Sequence, residues 1–282
     1  MRSIERLKIG QIIVDFFEKV IKFYTYICHV KKINKIMNLN KRVIVGIKGT
    51  KGSGKDTIAS MIHYIMAVGT TAANMDGWEK YNISPKDELD VPTLHFADKL
   101  KDDLSLMFGI ARECFDSQEY KDEKYFHLRT RSFKTAKNIK EYMIPYITLE
   151  DLKTNNLARW IESFNEDCVI KLRTLMQYYG SEVIRNQIGV NTWVNICINK
   201  AIQHRDYYGY ALIGDVRYDN ENDAIYNIGG KIIYVNRFGN NAEREHSSEV
   251  IKTDMRDTVI INTGTKLGLF YKVLEFVKKE MV

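Results

Sequence analysis

The sequence predicts an α/β sandwich: a mostly parallel sheet of about five strands between layers of helices. Three observations carry that expectation: short uninterrupted apolar runs that stop at polar residues, helical apolar periodicity between them, and a glycine-rich turn joining the first run to the first helix. Runs this short and continuous suit strands buried on both faces, and the helices between them supply the crossovers that parallel pairing needs.

The first predicted strand is 42–47 (RVIVGI), a β-branched run that leads into the glycine-rich turn, and 57–68 then carries apolar residues at helical spacing. Further strands are predicted at 94–97, 210–214, 231–235 and 258–261. Between residues 112 and 169 the strand signals vanish and charge density rises, as in YKDEKYFHLRTRSFK over 120–134. That stretch reads as a helical insertion, either a solvated surface or a lid that excludes water from a reaction. None of the prolines, Pro85, Pro92 and Pro145, interrupts a predicted strand, and the chain holds no repeat or low-complexity tract.

With 282 residues, 45% hydrophobic and 28% charged, the composition is that of a globular chain able to bury a sizeable core. The net charge of +6 is unevenly spread: residues 1–42 hold ten basic against three acidic side chains, leaving 32 against 33 in the other 240. A nearly neutral body removes the main support for a general nucleic-acid surface, so no direct nucleic-acid partner is expected. Residues 1–36 read as a basic amphipathic extension, with Ile13, Phe16, Phe17, Val20, Tyr24 and Ile27 at helical spacing. It would pack on the body, anchor a surface or partner, or precede a working start at Met37. No stretch reaches the roughly 18 uninterrupted apolar residues of a membrane span, and Asp15 and Glu18 fall where a secretory signal needs its apolar core. Cys28, Cys114, Cys168 and Cys197 lie far apart without metal-ligand spacing, which suits reduced thiols and a cytoplasmic location.

The chemistry is carried by Gly49-Thr50-Lys51-Gly52-Ser53-Gly54-Lys55-Asp56-Thr57, which fits G-x-x-x-x-G-K with its hydroxyl residue one place late. Glycines let successive N–H groups turn toward phosphate oxygens, and the helix after the loop adds its positive end. ATP is therefore expected on Gly52, Ser53, Gly54, Lys55, Asp56 and Thr57, with Lys55 reaching the β- and γ-phosphates. A carboxylate beside triphosphate is repelled unless a cation lies between them, so Asp56 is expected to take Mg²⁺ directly or through water, with Thr57 also available. A GTPase is disfavoured because the later loops hold no NKxD guanine signature.

The GSGKDT form of this loop, together with segments downstream of it, resembles the deoxynucleoside monophosphate kinases of bacteriophages and large DNA viruses. The likeness runs in order from about Met37 to the end of the chain. It comprises 43–57; Phe96-Ala97-Asp98-Lys99-Leu100-Lys101; Arg112-Glu113-Cys114-Phe115-Asp116; 173–182 with Trp193-Val194; Asp215-Val216-Arg217-Tyr218-Asp219-Asn220-Glu221 with Gly229-Gly230 and 231–237; and His246-Ser247-Ser248-Glu249 with 257–265. The family usually has Gly-Thr where this chain has Gly180-Ser181, which keeps the hydroxyl. The resemblance implies a three-layer P-loop NTPase sandwich over 37–282, with 112–169 as the substrate-covering insertion. It also implies transfer of the γ-phosphoryl of Mg²⁺-bound ATP to a deoxynucleoside 5′-monophosphate, giving dNDP and ADP.

The residue types suit that reaction, because phosphoryl transfer needs charge neutralisation and in-line positioning rather than a protein nucleophile. A second cationic cluster is then required, with Lys51, Lys101, Arg112, Arg173 and Arg217 as candidates. Catalytic roles are expected of Lys55, Arg217 and Asp215, the last orienting Arg217, holding Mg²⁺ through water or polarising the attacking oxygen; a structural ion pair is the alternative. From the family, Lys51, Leu100 and Lys101 belong to the acceptor side, and Gln177, Gly180 and Ser181 line base and sugar. Trp193 offers a stacking face or a core side chain, and Glu221 a ribose or base contact or a solvated acid. Arg129 and Arg131 fall in the expected lid. A dephospho-coenzyme A kinase and a nucleotide-binding switch are the competing readings, and the oligomeric state of the kinase is open, a homodimer included.

Overall fold

In the computed structural model, residues 42–83, 91–142, 144–145, 147–154, 167–237 and 253–282 are described. The extension at 1–36, Cys28 and the block around His246 lie outside them. Two compact units result, one drawn from residues up to Leu94 and from Ala201–Val282, the other being His95–Lys200.

The first unit holds a sheet with strands β1 (Val43–Gly49), β2 (Leu94–His95), β6 (Tyr210–Val216), β7 (Lys231–Asn236) and β8 (Thr258–Ile261) in the order β2-β6-β1-β7-β8. The neighbours β1 and β6, β1 and β7, and β7 and β8 pair in parallel. These are the strands the apolar runs predict, so the α/β sandwich with its central parallel sheet is the observed fold. β1 is buried at all seven positions, as a central strand covered on both faces must be.

Helix α1 (Lys55–Val68) succeeds the loop, and its Ile58, Met61, Ile62 and Ile65 form one apolar stripe. They pack with Leu269, Phe270, Val273 and Val277 of α10 (Lys266–Glu280) onto Val43, Val45, Ile47, Leu212 and Val235. The 3.6-residue period of the helices thus meets the two-residue period of the strands. The opposite face approaches α9 (Asp219–Asn227), where a Cβ on Gly46 would come within 2.7 Å of Ile225 Cδ1. Helix α2 (Met75–Ile83) adds buried Trp78, whose indole N–H donates to Ser60 Oγ at 3.2 Å.

A buried ion pair lies inside this unit. Lys48, the residue before the loop glycine Gly49, has its Nζ 2.6 Å from Asp257 Oδ2, with side-chain exposures of 1% and 0%. Asp257 also accepts the Tyr226 O–H at 2.7 Å and the Asp254 N–H at 2.7 Å. Lys48 lies opposite Tyr234 in β7 and passes 6.0 Å from that ring. The carboxylate and ammonium are therefore each satisfied, which is the condition for tolerating a buried pair.

The second unit corrects the expectation of a wholly helical insertion. Helix α3 (Asp98–Phe108), a 3₁₀ turn (Arg112–Phe115) and α4 (Gln118–Asp122) precede a small antiparallel sheet, β4 (Ser132–Lys134), β3 (Tyr125–His127) and β5 (Val169–Ile170) in that order. Strands of two or three residues are too short to show a period. Their core is Phe126, paired with Phe133 across the hairpin and edge-on to Phe108 at 6.1 Å. Helices α5 (Ala136–Tyr142), α6 (Leu149–Thr154) and α7 (Leu172–Gln177) come next, and α7 runs into a π-helical segment, Tyr178–Arg185. The last helix of this stretch, α8 (Thr192–Tyr208), leads back to β6. Where 94–97 reads as a strand, β2 stops at His95, because Asp98 Oδ2 accepts the His95 N–H at 2.7 Å and α3 begins there.

Candidate functional site

The glycine loop is built by backbone geometry. Gly54 has φ 103° and ψ 21° at the head of α1, and a Cβ there would stand 2.5 Å from Asn262 Nδ2. Both the left-handed torsion and the close approach require glycine. Asn262, at the end of β8, donates to the Ser53 carbonyl at 2.8 Å, and Arg237, at the end of β7, donates to the Gly52 carbonyl at 3.1 Å. These two side chains tie the loop's carbonyls to the ends of two neighbouring strands, and neither stands out in the sequence. Ser53 is fully buried, and its Oγ has no partner among the described residues.

Lys55 Nζ donates to the Gly49 and Thr50 carbonyls at 2.7 and 3.0 Å, and lies 3.3 Å from Asp215 Oδ1. Asp215 owes its position to a β-bulge. Gly46 pairs with Ile213 and Lys48 with Val216, so two residues of β6 face one of β1, and Asp215 takes a left-handed φ of 55°. A bulge re-aims a side chain beside a site, and a non-glycine residue held in that region marks strain retained there. Arg217 Nη2 lies 3.6 Å from Asp215 Oδ2, and both side chains are nearly half exposed. The structure thus gathers Lys55, Asp215 and Arg217 at the loop. Asp56 and Lys51 are exposed, and Thr57 is half-buried in the first turn of α1.

Glu221 is not the solvated acid of one of its sequence readings: it is 5% exposed, and its Oε2 accepts the N–H groups of Arg217 and Tyr218 at 2.8 and 3.1 Å. It closes the start of α9, satisfying amide groups that a helix N-terminus leaves unpaired.

In the second unit, the predicted cations meet carboxylates. Lys101 Nζ lies 2.7 Å from Asp116 Oδ1. Arg112 reaches Asp102 at 2.8 Å, Asp98 at 3.3 Å and Asp116. Arg173 forms a two-pronged bond to Asp122, one arm at 2.9 Å. Burial works against ionisation of Asp116, but the bonds from Lys101 and Arg112 outweigh it and hold its carboxyl below the usual range. The Arg173 guanidinium does the same for Asp122. Lys121, which sequence reasoning did not single out, sits among them half-buried. Burial, then repulsion from Lys101 and Arg173, pulls its ammonium below the ordinary lysine range.

The residues expected at base and sugar divide. Leu100, Gly180 and Trp193 come together as packing: a Cβ on Gly180 would meet Leu100 Cδ1 at 2.5 Å, and the Trp193 indole N–H donates to the Gly180 carbonyl at 3.1 Å. Leu100 is 6% and Trp193 8% exposed, so the core reading of Trp193 is the one its surroundings match. Ser181 is half-buried and Gln177 exposed on the π-helical stretch and its approach, a backbone irregularity that recurs at functional sites. Arg129 and Arg131 are exposed in the turn between β3 and β4, and the Arg131 guanidinium lies 5.7 Å from the Phe108 ring centre. Cys168 and Cys197 are buried, and burial raises the half-buried Cys114 thiol.

A parallel sheet whose central strand runs through a glycine turn into a helix, with a lysine on the turn and an acid at the next strand end, defines the phosphate-loop α/β class. A family model described as deoxynucleotide monophosphate kinase matches residues 43–273, and the chain belongs to that family. A relative, the deoxynucleotide monophosphate kinase of Enterobacteria phage T4, is 30% identical over 109 residues, which cover 38% of this chain and 45% of the relative. The chain thus spans less than half the length of that relative. No helix among the described residues is long and apolar enough to cross a membrane.

Proposed function

We propose that the chain is a kinase that transfers the γ-phosphoryl of ATP to a deoxynucleoside 5′-monophosphate, releasing dNDP and ADP. The observation that carries this reading is the loop of the first unit. Lys55 lies across its carbonyls beside the bulge-borne Asp215, and the buried Ser53 hydroxyl is left for an anion's oxygen. Family membership supports the acceptor class, and the Lys101, Arg112 and Arg173 set supplies the charge that an acceptor phosphate needs. The reaction asks for an attacking acceptor oxygen in line with the γ-phosphorus and for neutralisation of the equatorial oxygens. Arg217, nearly half exposed beside Asp215, suits the second task.

Mg²⁺ belongs to this reading. The donor set fits it, since Asp56 and Thr57 offer a carboxylate and a hydroxyl in the first turn of α1 and Asp215 a second carboxylate. Mg²⁺ is ordinarily held by one or two carboxylates plus substrate phosphates; when bound, it would neutralise developing charge on the bridging and γ-oxygens.

The test is a coupled ADP-release assay with ATP and Mg²⁺ against dGMP, dTMP, dCMP, dAMP and dephospho-coenzyme A. ADP appearing only with deoxynucleotides is expected, and Lys55→Ala should lower that turnover at least a hundredfold with the fold intact. ADP formed without acceptor, or with dephospho-coenzyme A alone, would overturn the proposal.

A further inference from the structure

The cation cluster of the second unit contains one member, Lys121, that Asp116 and Asp122 attract but that closes no ion pair among the described residues. Helix α4 is bracketed by two acids that are already engaged: Asp116, just before it, by Lys101 and Arg112, and Asp122, its last residue, by Arg173. Lys121 lies between them, and among the described residues no carboxylate, hydroxyl or carbonyl bonds its ammonium. The helix is short, but it is pinned: Ser117 Oγ accepts the Tyr120 N–H, the Lys121 N–H donates to the Ser117 carbonyl at 3.1 Å, and the Tyr120 ring stands edge-on to Phe133 at 4.8 Å. An ammonium half-withdrawn from water, repelled by Lys101 and Arg173 and bonded to no acid among the described residues, is placed at a cost that an unused surface lysine would avoid by turning to solvent.

We propose that Lys121 is a phosphate-binding residue of the acceptor site, taking the acceptor's phosphate together with Lys101 and Arg173. The inference rests on the kinase reading for the identity of the acceptor, but not for the anion itself. A phosphate monoester suits the geometry better than a carboxylate. It carries close to two charges and three terminal oxygens, enough to accept from two ammonium groups and a guanidinium at once. Asp116 and Asp122 hold Lys101 and Arg173 in place, and the incoming dianion competes with them while taking Lys121 outright.

Two measurements on the full chain test this. In steady-state kinetics, Lys121→Ala should raise the dNMP KM tenfold to a hundredfold, as expected for a lost charge-assisted hydrogen bond, with the ATP KM unchanged. Lys121→Arg should recover most of the loss. The wild-type dNMP KM should begin to climb at a lower pH than that of Lys121→Arg, whose guanidinium stays charged and leaves Lys101 as the one ammonium of the three cations. Lys124→Gln, on a lysine paired with Glu119 at 3.2 Å, should match wild type. Calorimetric titration of inorganic phosphate into Lys55→Ala and Lys55→Ala/Lys121→Ala proteins reads the same site without turnover, and the double variant should bind at least tenfold more weakly. Equal phosphate binding in the two, or a dNMP KM within twofold of wild type in Lys121→Ala, would overturn the role of Lys121. A wild type that turns over no deoxynucleotide but binds phosphate through Lys121 would instead overturn the kinase reading and leave this one standing.

Discussion

The glycine loop and the cation cluster both gather positive charge, and they hold it by different means. At the loop, Lys55 rests on main-chain carbonyls, and the strand that delivers it is tied by an ion pair from which water is excluded. In the cluster, Lys101, Arg112 and Arg173 are answered by aspartates, and two of these, Asp102 and Asp116, are about half exposed. Breaking a desolvated pair strands a charge in a medium that cannot solvate it, whereas breaking an exposed one returns both partners to water. The first region is therefore a fixed template, and the second a set of exchangeable partnerships into which an anion can step.

The largest expected effect tests the fixed side. Lys48→Met or Asp257→Ala should each cost about 3–5 kcal/mol in urea unfolding, because each leaves one buried charge without its partner. Lys48→Met/Asp257→Leu should recover part of that loss: an apolar pair carries no desolvation penalty, but the Tyr226 O–H and the Asp254 N–H are left without their acceptor. Single variants costing under about 1 kcal/mol would make this pair no different from a surface one and dissolve the contrast.

Gly54→Ala comes next. The substitution forces a side chain into a left-handed backbone and against Asn262, and should cost about 1–3 kcal/mol together with ATP affinity, read by thermal unfolding with and without nucleotide. Asn262→Ala in the same chain sharpens the point: it removes the close approach but not the torsion, so it should restore only part of the stability. Full restoration would mean that crowding rather than backbone geometry dictates the glycine.

That backbone dependence explains which features are legible in one dimension. The loop was legible because glycines at fixed offsets are its mechanism, and the strands beside it because β-branched runs buried on both faces leave an unbroken apolar signature. Asp215 was legible as a strand-end acid, but its bulge was not, since a register shift belongs to two strands at once. Glu221 stands three residues after Tyr218, and without Ser or Thr at the cap the capping signature is absent although half of its bonding is made. Lys48 and Asp257 are 209 positions apart. Lys121 was lost inside a charged run because nothing in residue type separates a lysine bonded to an acid from one that is not. Sites made by backbone announce themselves along the chain; sites made by side-chain pairing have to be seen assembled.

The smallest effect belongs to the exchangeable side. Asp122→Asn removes the acid from Arg173, yet with side-chain exposures of 31% and 49% the pair should contribute less than about 1 kcal/mol. Its pH dependence has a definite sign. Because Arg173 holds the folded-state carboxyl below its unfolded value, the contribution is present above the ordinary carboxylate range and is lost as pH falls through the depressed value. The stability difference between wild type and Asp122→Asn should therefore close in acid, and it should shrink between about 0.05 and 0.5 M salt, roughly a threefold contraction of the screening length. The Lys48 pair, shielded from mobile ions, should keep its value over the same range. If the Asp122 difference were as large and as indifferent to salt as that of Lys48, an entering phosphate could not displace the aspartate, and the cluster would be a structural brace rather than a place for an acceptor.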